Sequence, residues 1–231
     1  MTNRKQPSEQ NLKLRNAAMM YYYDKLKQRA TEINEEIQND LSTHVSESTT
    51  TTSKAQTAAR LVEVYSLTLT YFEGVAFQFL RWGWQIDHEL VDHVKEEARG
   101  EFPEGPPHEW DNNEKDLRMS HKQWMDILNK LDPSTNHFDA LHKVKDRRGD
   151  YIHKPDSALE FRPTSDKYSG KELEEKPVET PEFVQKQREQ PTLSEILIDC
   201  ENALEEIEEL VNEHLPIDDD IYSELVEDEQ S

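Results

Sequence analysis

Cysteine, glycine and positive charge are all scarce in this chain. Its 231 residues include one cysteine, 6 glycines and 27 Lys plus Arg against 49 Asp plus Glu, for a formal charge of −22. A single cysteine excludes an internal disulfide and any cysteine-rich zinc site. Cys200, set among Ile196, Leu197 and Leu204, is expected to be a buried small apolar residue. No run of about eighteen apolar residues occurs, so no membrane-spanning helix is expected. The opening MTNRKQPSEQ lacks the apolar stretch of a secretory signal, which makes the cytoplasm the expected location. Hydrophobic residues are only 34% of the chain beside 33% charged. They are concentrated in particular segments, however, so the expectation is a folded core with local polar stretches.

What the chain has in plenty is acid and helical periodicity. Acidity spread along most of its length resembles the surface of proteins adapted to molar intracellular salt, as in halophilic archaea, while 217–231, IDDDIYSELVEDEQS, reads as an acidic tail. Residues 9–41 lack Pro and Gly and place Leu12, Met19, Tyr22, Leu26, Ala30, Ile33 and Ile37 three or four apart, which predicts a long amphipathic helix. The Ser/Thr-rich 42–53 reads as a connection, with Ser53 as the N-cap of the next helix. From Lys54 to about Trp82 apolar residues, among them Leu61, Val64, Tyr65, Leu69, Phe72, Val75 and Phe79, occupy most of the circumference, so this helix is expected at the centre of the fold.

Gly83 allows a bend, and 84–98 can continue as helix before the Gly- and Pro-rich loop that follows. Another helix is predicted over roughly 114–131, lined by Leu117, His121, Trp124, Ile127, Leu128 and Leu131, and a further one from Phe138 toward Pro155. Residues 156–190, rich in Pro, Ser, Glu and Lys, read as a polar insertion. The last helix, 192–215, opens with Thr192 and Glu195 at capping-box spacing and carries an apolar stripe from Leu193 to Leu215. No strand signal of comparable length appears. The expectation is an all-α bundle of four to five main helices, divided into an N-terminal helix and linker (1–53), a core (54–155), the insertion (156–190), a final helix (191–216) and the tail.

Against this acidic background one segment, HKVKDRRGDYIHKPD at 142–156, gathers Lys143, Lys145, Arg147, Arg148 and Lys154 with His142 and His153. Gly149 costs about 1 kcal/mol inside a helix and Pro155 disfavours helical geometry at Lys154, so the helix is expected to weaken or stop around 149–153. In an unbroken helix Arg148 and His153 stand about 140° apart and hardly converge, so a bend or a second copy of the chain is needed to aim both at one target. A buried carboxylate at Glu73, between Phe72 and Val75, would need a cationic partner, for which Arg147 or Arg148 is the natural choice.

RRGDYIH resembles the Arg-x4-His signature of the HEPN superfamily, small all-α domains that typically dimerise and include metal-independent ribonucleases of toxin–antitoxin, abortive-infection and CRISPR systems. Arg148 and His153 match the x4 spacing and Arg147 the x5 alternative; Gly149, where many members have Asn, Asp or His, departs from the pattern. The resemblance spans about residues 54–215 and implies an acidic residue from the preceding buried helix, with Glu73 first and Glu63 second. It further implies a homodimer acting on RNA, with an antitoxin or nucleotidyltransferase as partner and no metal or other cofactor.

In such chemistry an imidazole moves protons at the ribose 2′-hydroxyl and the leaving oxygen, and an arginine fork binds phosphate. Asp150 and Tyr151 are then candidates for positioning water, substrate or His153, and Lys143, Lys145 and Lys154 for tracking neighbouring phosphates. The competing expectation is a catalytically silent helical dimer or nucleotide-binding module on the same fold. The i, i+4 pairs His88/Asp92 and Glu89/His93 are weak metal candidates, since a charge-rich helix produces such pairs readily. Trp82, Trp84, Trp110 and Trp124 are read as core and loop anchors.

Overall fold

The computed structural model describes residues 8–43, 51–98, 119–131, 138–153 and 191–229. Among these the chain is all-α: seven helices and no strand. They are α1 (Glu9–Thr43), α2 (Thr51–Ile86), α3 (Leu90–Glu97), α4 (His121–Leu128), α5 (Asp139–His153), α6 (Leu193–His214) and α7 (Asp219–Glu229). The expected polar insertion, Lys154, Trp110 and Leu117 lie outside the described residues.

α2 is the hub, packed against α1, α3, α4, α5 and α6. Its apolar residues do face several neighbours: Leu61, Val64, Tyr65, Phe72, Val75, Ala76, Phe79 and Leu80 are fully buried. The helix passes through Gly83 without a break and stops at Asp87, whose positive φ of 56° reverses the chain into α3. α2 begins at Thr51, so Ser53 lies inside it and is not its N-cap.

α1 packs along α2. The register differs slightly from the expected stripe. Tyr22 is 64% exposed, whereas Met20 is buried and Tyr23 packs on the core. Tyr23 lies so close to Gly74 of α2 that a methyl group at Gly74 would overlap its ring, so a larger residue there requires the ring to move.

Two helix starts are fixed by side chains from their own first turn. Thr192 and Glu195 form the expected capping box of α6, and Ser120 and Gln123 form another at α4. Ser120 therefore sets the start of α4 at His121, later than the expected 114, with Met119 and Ser120 outside the helix. α6 buries Leu193, Ile196, Leu197, Cys200, Ala203, Leu204, Ile207, Leu210 and Val211 against the hub and α5.

The segment read as an acidic tail is helix α7 over Asp219–Glu229, and it is docked on α1. Tyr222 donates a short hydrogen bond to Asp24, and the Asp218 amide donates to the Lys13 carbonyl at 3.3 Å. Just before α7, the Pro216 carbonyl accepts from Asn16 Nδ2 at 2.7 Å, and the Asn16 amide oxygen in turn accepts from Gln78 of α2 at 2.6 Å. Three polar ties hold what composition alone presents as an acidic tail. No helix among the described residues is long and apolar enough to cross a membrane.

Candidate functional site

α5 carries most of the basic segment, and its placement is set by α6 and α2. At its N-terminus the Glu206 carboxylate of α6 accepts from the amides of Ala140 (2.8 Å) and Leu141 (2.9 Å), so a side chain from another helix satisfies donors that the first turn leaves open. Burial pushes the Glu206 carboxyl above the usual range, and those two amide bonds draw it part of the way back. Along its length two edge-on ring pairs, Phe72 with Phe138 (5.4 Å) and Tyr65 with Tyr151 (5.6 Å), hold α5 against α2. Because the later residue of α5 meets the earlier residue of α2, the two helices run antiparallel.

The helix does not give way at Gly149; it continues to His153. With α5 regular, Arg148 and His153 do stand about 140° apart around one axis. His153 is exposed in the last turn, and Asp150 and Ile152 are exposed beside it. Tyr151 is half-buried on the Tyr65 ring, and burial raises its hydroxyl, so its first role is packing.

The two arginines part company. Arg147 turns to α6, where it lies 2.7 Å from one oxygen of Asp199, and Lys143, one turn earlier, reaches the other oxygen at 2.8 Å. Asp199 is only 8% exposed, and a carboxylate so placed requires the cations it has. The Arg147 charge also acts on Cys200, Tyr65 and Tyr151 nearby; burial outweighs it and pushes the Cys200 thiol up to about 12, which leaves it an unreactive, fully buried thiol.

Arg148 turns the other way, toward α2 and α4. Its Nε donates to Ser66 Oγ at 3.3 Å, and among the described residues no carboxylate lies within ion-pair distance of it. Lys145, one turn before it, is paired with its neighbour Asp146 at 2.5 Å. At the far end of the same face His121, the first residue of α4, rests half-buried against the Phe72 ring with 6.5 Å between centroids. Burial lowers the His121 pKa from its ordinary 6.5; Glu73 works against that, and Arg148 and Lys145 reinforce it.

Glu73 is therefore not the buried acid expected. It is exposed, as is Glu63, because both fall on the arc of α2 that its neighbours leave uncovered. Asp199 fills the position of a buried acid paired with arginine, and it comes from α6. The stripe of α6 contained its signal: Asp199 sits three residues after Ile196 and next to Cys200, a carboxylate at core spacing. His121 likewise sat in an apolar register ahead of Trp124.

Of the basic residues singled out, Lys143 and Arg147 are thus gathered at one acid, Lys145 and Arg148 share a face with His121 and Glu73, and His153 joins neither. Among the described residues no group of three or more His, Cys, Asp or Glu is arranged to hold a metal ion. Compared with protein-family models, curated proteins and solved structures, the chain matches none.

Proposed function

We propose that this chain is a HEPN-like, metal-independent endoribonuclease, acting as a homodimer on cytoplasmic RNA in a toxin or antiviral role. One observation carries the reading: of two adjacent arginines on α5, Arg147 is occupied by buried Asp199, while Arg148, among the described residues, is held by the Ser66 hydroxyl alone and looks onto a histidine-bearing face. In a strongly acidic protein, an arginine that lies clear of carboxylates among the described residues supports a use for its charge, and phosphate is the ligand a guanidinium fork fits best. Arg148 is then the signature arginine, at x4 spacing from His153. The arc between them supports a cleft built by two copies of α5, one supplying Arg148 and the other His153.

A catalytically silent helical module is the second reading. It is favoured by Asp199, which gives Lys143 and Arg147 a purely structural employment. Pure protein assayed in high KCl with EDTA on structured and single-stranded RNAs separates the two. The ribonuclease yields 2′,3′-cyclic phosphate ends and loses cleavage on His153→Ala with its oligomeric state intact; an inert wild type sustains the silent module.

A further inference from the structure

Resting on the ribonuclease reading, we infer that Arg148, Lys145 and His121 form a phosphodiester site within one protomer, and that His121 is the group that takes the proton from the ribose 2′-hydroxyl. The geometry comes from three helices. α2 supplies a wall along Ser66, Thr70 and Glu73, residues at i, i+4 and i+7 spacing on one side of that helix. α5, antiparallel to it, sets Arg148 at the Ser66 end and Lys145 one turn along. α4 closes the other end, where its capping box fixes the start of the helix and hence the position of His121 over Phe72.

Each part suits the task. The Ser66 contact uses the Nε edge of the Arg148 guanidinium, and among the described residues its two terminal nitrogens have no hydrogen-bond acceptor, so both are available to a phosphate. Among the described residues, the charged groups that act on His121 are Glu73 from α2 and Lys145 and Arg148 from α5; α3 meets α4 two residues further on, where Gln123 bonds the Glu97 carbonyl. Burial and the two cations favour the neutral ring, the form able to accept a proton. A bound phosphodiester offsets those cations, so the ring gains proton affinity when substrate arrives. Glu73 then faces the imidazolium that forms.

In the step itself a His121 ring nitrogen takes the 2′-hydroxyl proton and the O2′–P bond forms. The P–O5′ bond breaks, its electron pair leaving on O5′, and O5′ takes a proton from the protonated imidazole of His153 of the partner subunit. The products are a 2′,3′-cyclic phosphate and a 5′-hydroxyl, and exchange with water returns both rings to their starting states.

Two experiments test this. In the first, the C2 proton of each histidine is titrated by NMR in wild type with and without inorganic phosphate, and His121→Gln identifies the resonance. The His121 midpoint should shift upward with phosphate, and the shift should vanish in Arg148→Gln. A midpoint indifferent to phosphate overturns the site, whether or not the protein cleaves RNA.

The second uses a uridine 3′-phosphodiester whose leaving group is 4-nitrophenolate, which departs without a proton. His153→Ala, inactive on RNA, should be rescued on this substrate, whereas His121→Gln should remain about 100-fold or more below wild type on both. The reverse pattern overturns the role given to His121. A wild type inert toward both substrates overturns the ribonuclease reading and the proton transfer with it, while the phosphate titration still decides the binding site separately.

Discussion

The two sides of α5 use the same residue types to opposite ends. Toward α6, Arg147 closes on Asp199 beside Cys200 and Tyr65, with exposed Lys143 reaching the same carboxylate from the rim, in a seam where charge is matched and the Arg147–Asp199 pair is largely buried. Toward α2 and α4, Lys145 pairs with its own neighbour Asp146, while Arg148 rests on the Ser66 hydroxyl with no carboxylate within ion-pair distance among the described residues, and both look onto exposed Glu73 and half-buried His121. One residue of helical rotation, about 100°, separates Arg147 from Arg148 and is enough to move a guanidinium from one setting to the other. A buried cation beside its acid is a fixture of the fold, whereas a cation held at one edge by a hydroxyl is still able to bind something else.

The strongest way to break this contrast is at Asp199. Asp199→Ala leaves Arg147 and Lys143 without their acid in a seam where the Arg147 and Asp199 side chains are 20% and 11% exposed, and should cost about 3–5 kcal/mol of stability. Urea unfolding in high KCl measures it, and alkylation of Cys200, now fully buried, should become detectable as the seam opens. A loss below about 1 kcal/mol would mean that the pair is solvated.

The arginines sharpen the contrast next. Arg148→Ala should leave unfolding within about 0.5 kcal/mol of wild type and lower RNA cleavage by about 100- to 1,000-fold, with Arg148→Lys restoring only part because the fork is lost. Arg147→Ala should do the reverse, lowering stability while the folded fraction keeps its activity. If Arg147→Ala abolishes cleavage with stability unchanged, the assignment of the two sides is inverted.

Gly149 offers a smaller effect of the opposite sign. It sits inside α5 with helical backbone, and a methyl group there would meet no atom within 4 Å. Gly149→Ala should therefore stabilise the protein by about 1 kcal/mol, visible as a raised thermal midpoint. A fall in the midpoint would show that α5 ends before this residue in solution.

The smallest effect is the pH dependence of stability carried by His121. Burial lowers its pKa below 6.5 with Glu73 opposing, so the fold favours the neutral ring. The stability it contributes is then fully present above pH 6.5 and is lost as pH falls through the lowered folded value. Thermal unfolding of His121→Phe, compared with wild type over that window, should show a flatter dependence; identical slopes would place the ring in solvent.

What could be read from the sequence alone was whatever a single helix decides about itself. The spans of α1, α2 and α6, the burial of Cys200 and the Thr192–Glu195 capping box all depend on spacings of three or four residues, within reach of one helical turn. The acidic end shows the limit: composition marked 217–231 as an acidic tail, yet Tyr222 and the chain leading into α7 find Asp24, Lys13 and Asn16 on a helix at the other end of the chain.

Only the tertiary structure could decide which arc of a many-sided helix such as α2 is left bare, and so whether Glu73 is a buried acid or an exposed one. The same holds for the two arginines. Arg147 finds Asp199 52 positions away, and Arg148 finds Ser66 across 82. Periodicity fixes the angle of a side chain about its own axis, but the identity of the helix lying at that angle is set by how the helices pack together. That packing made Arg147 a structural cation and left Arg148 facing a histidine.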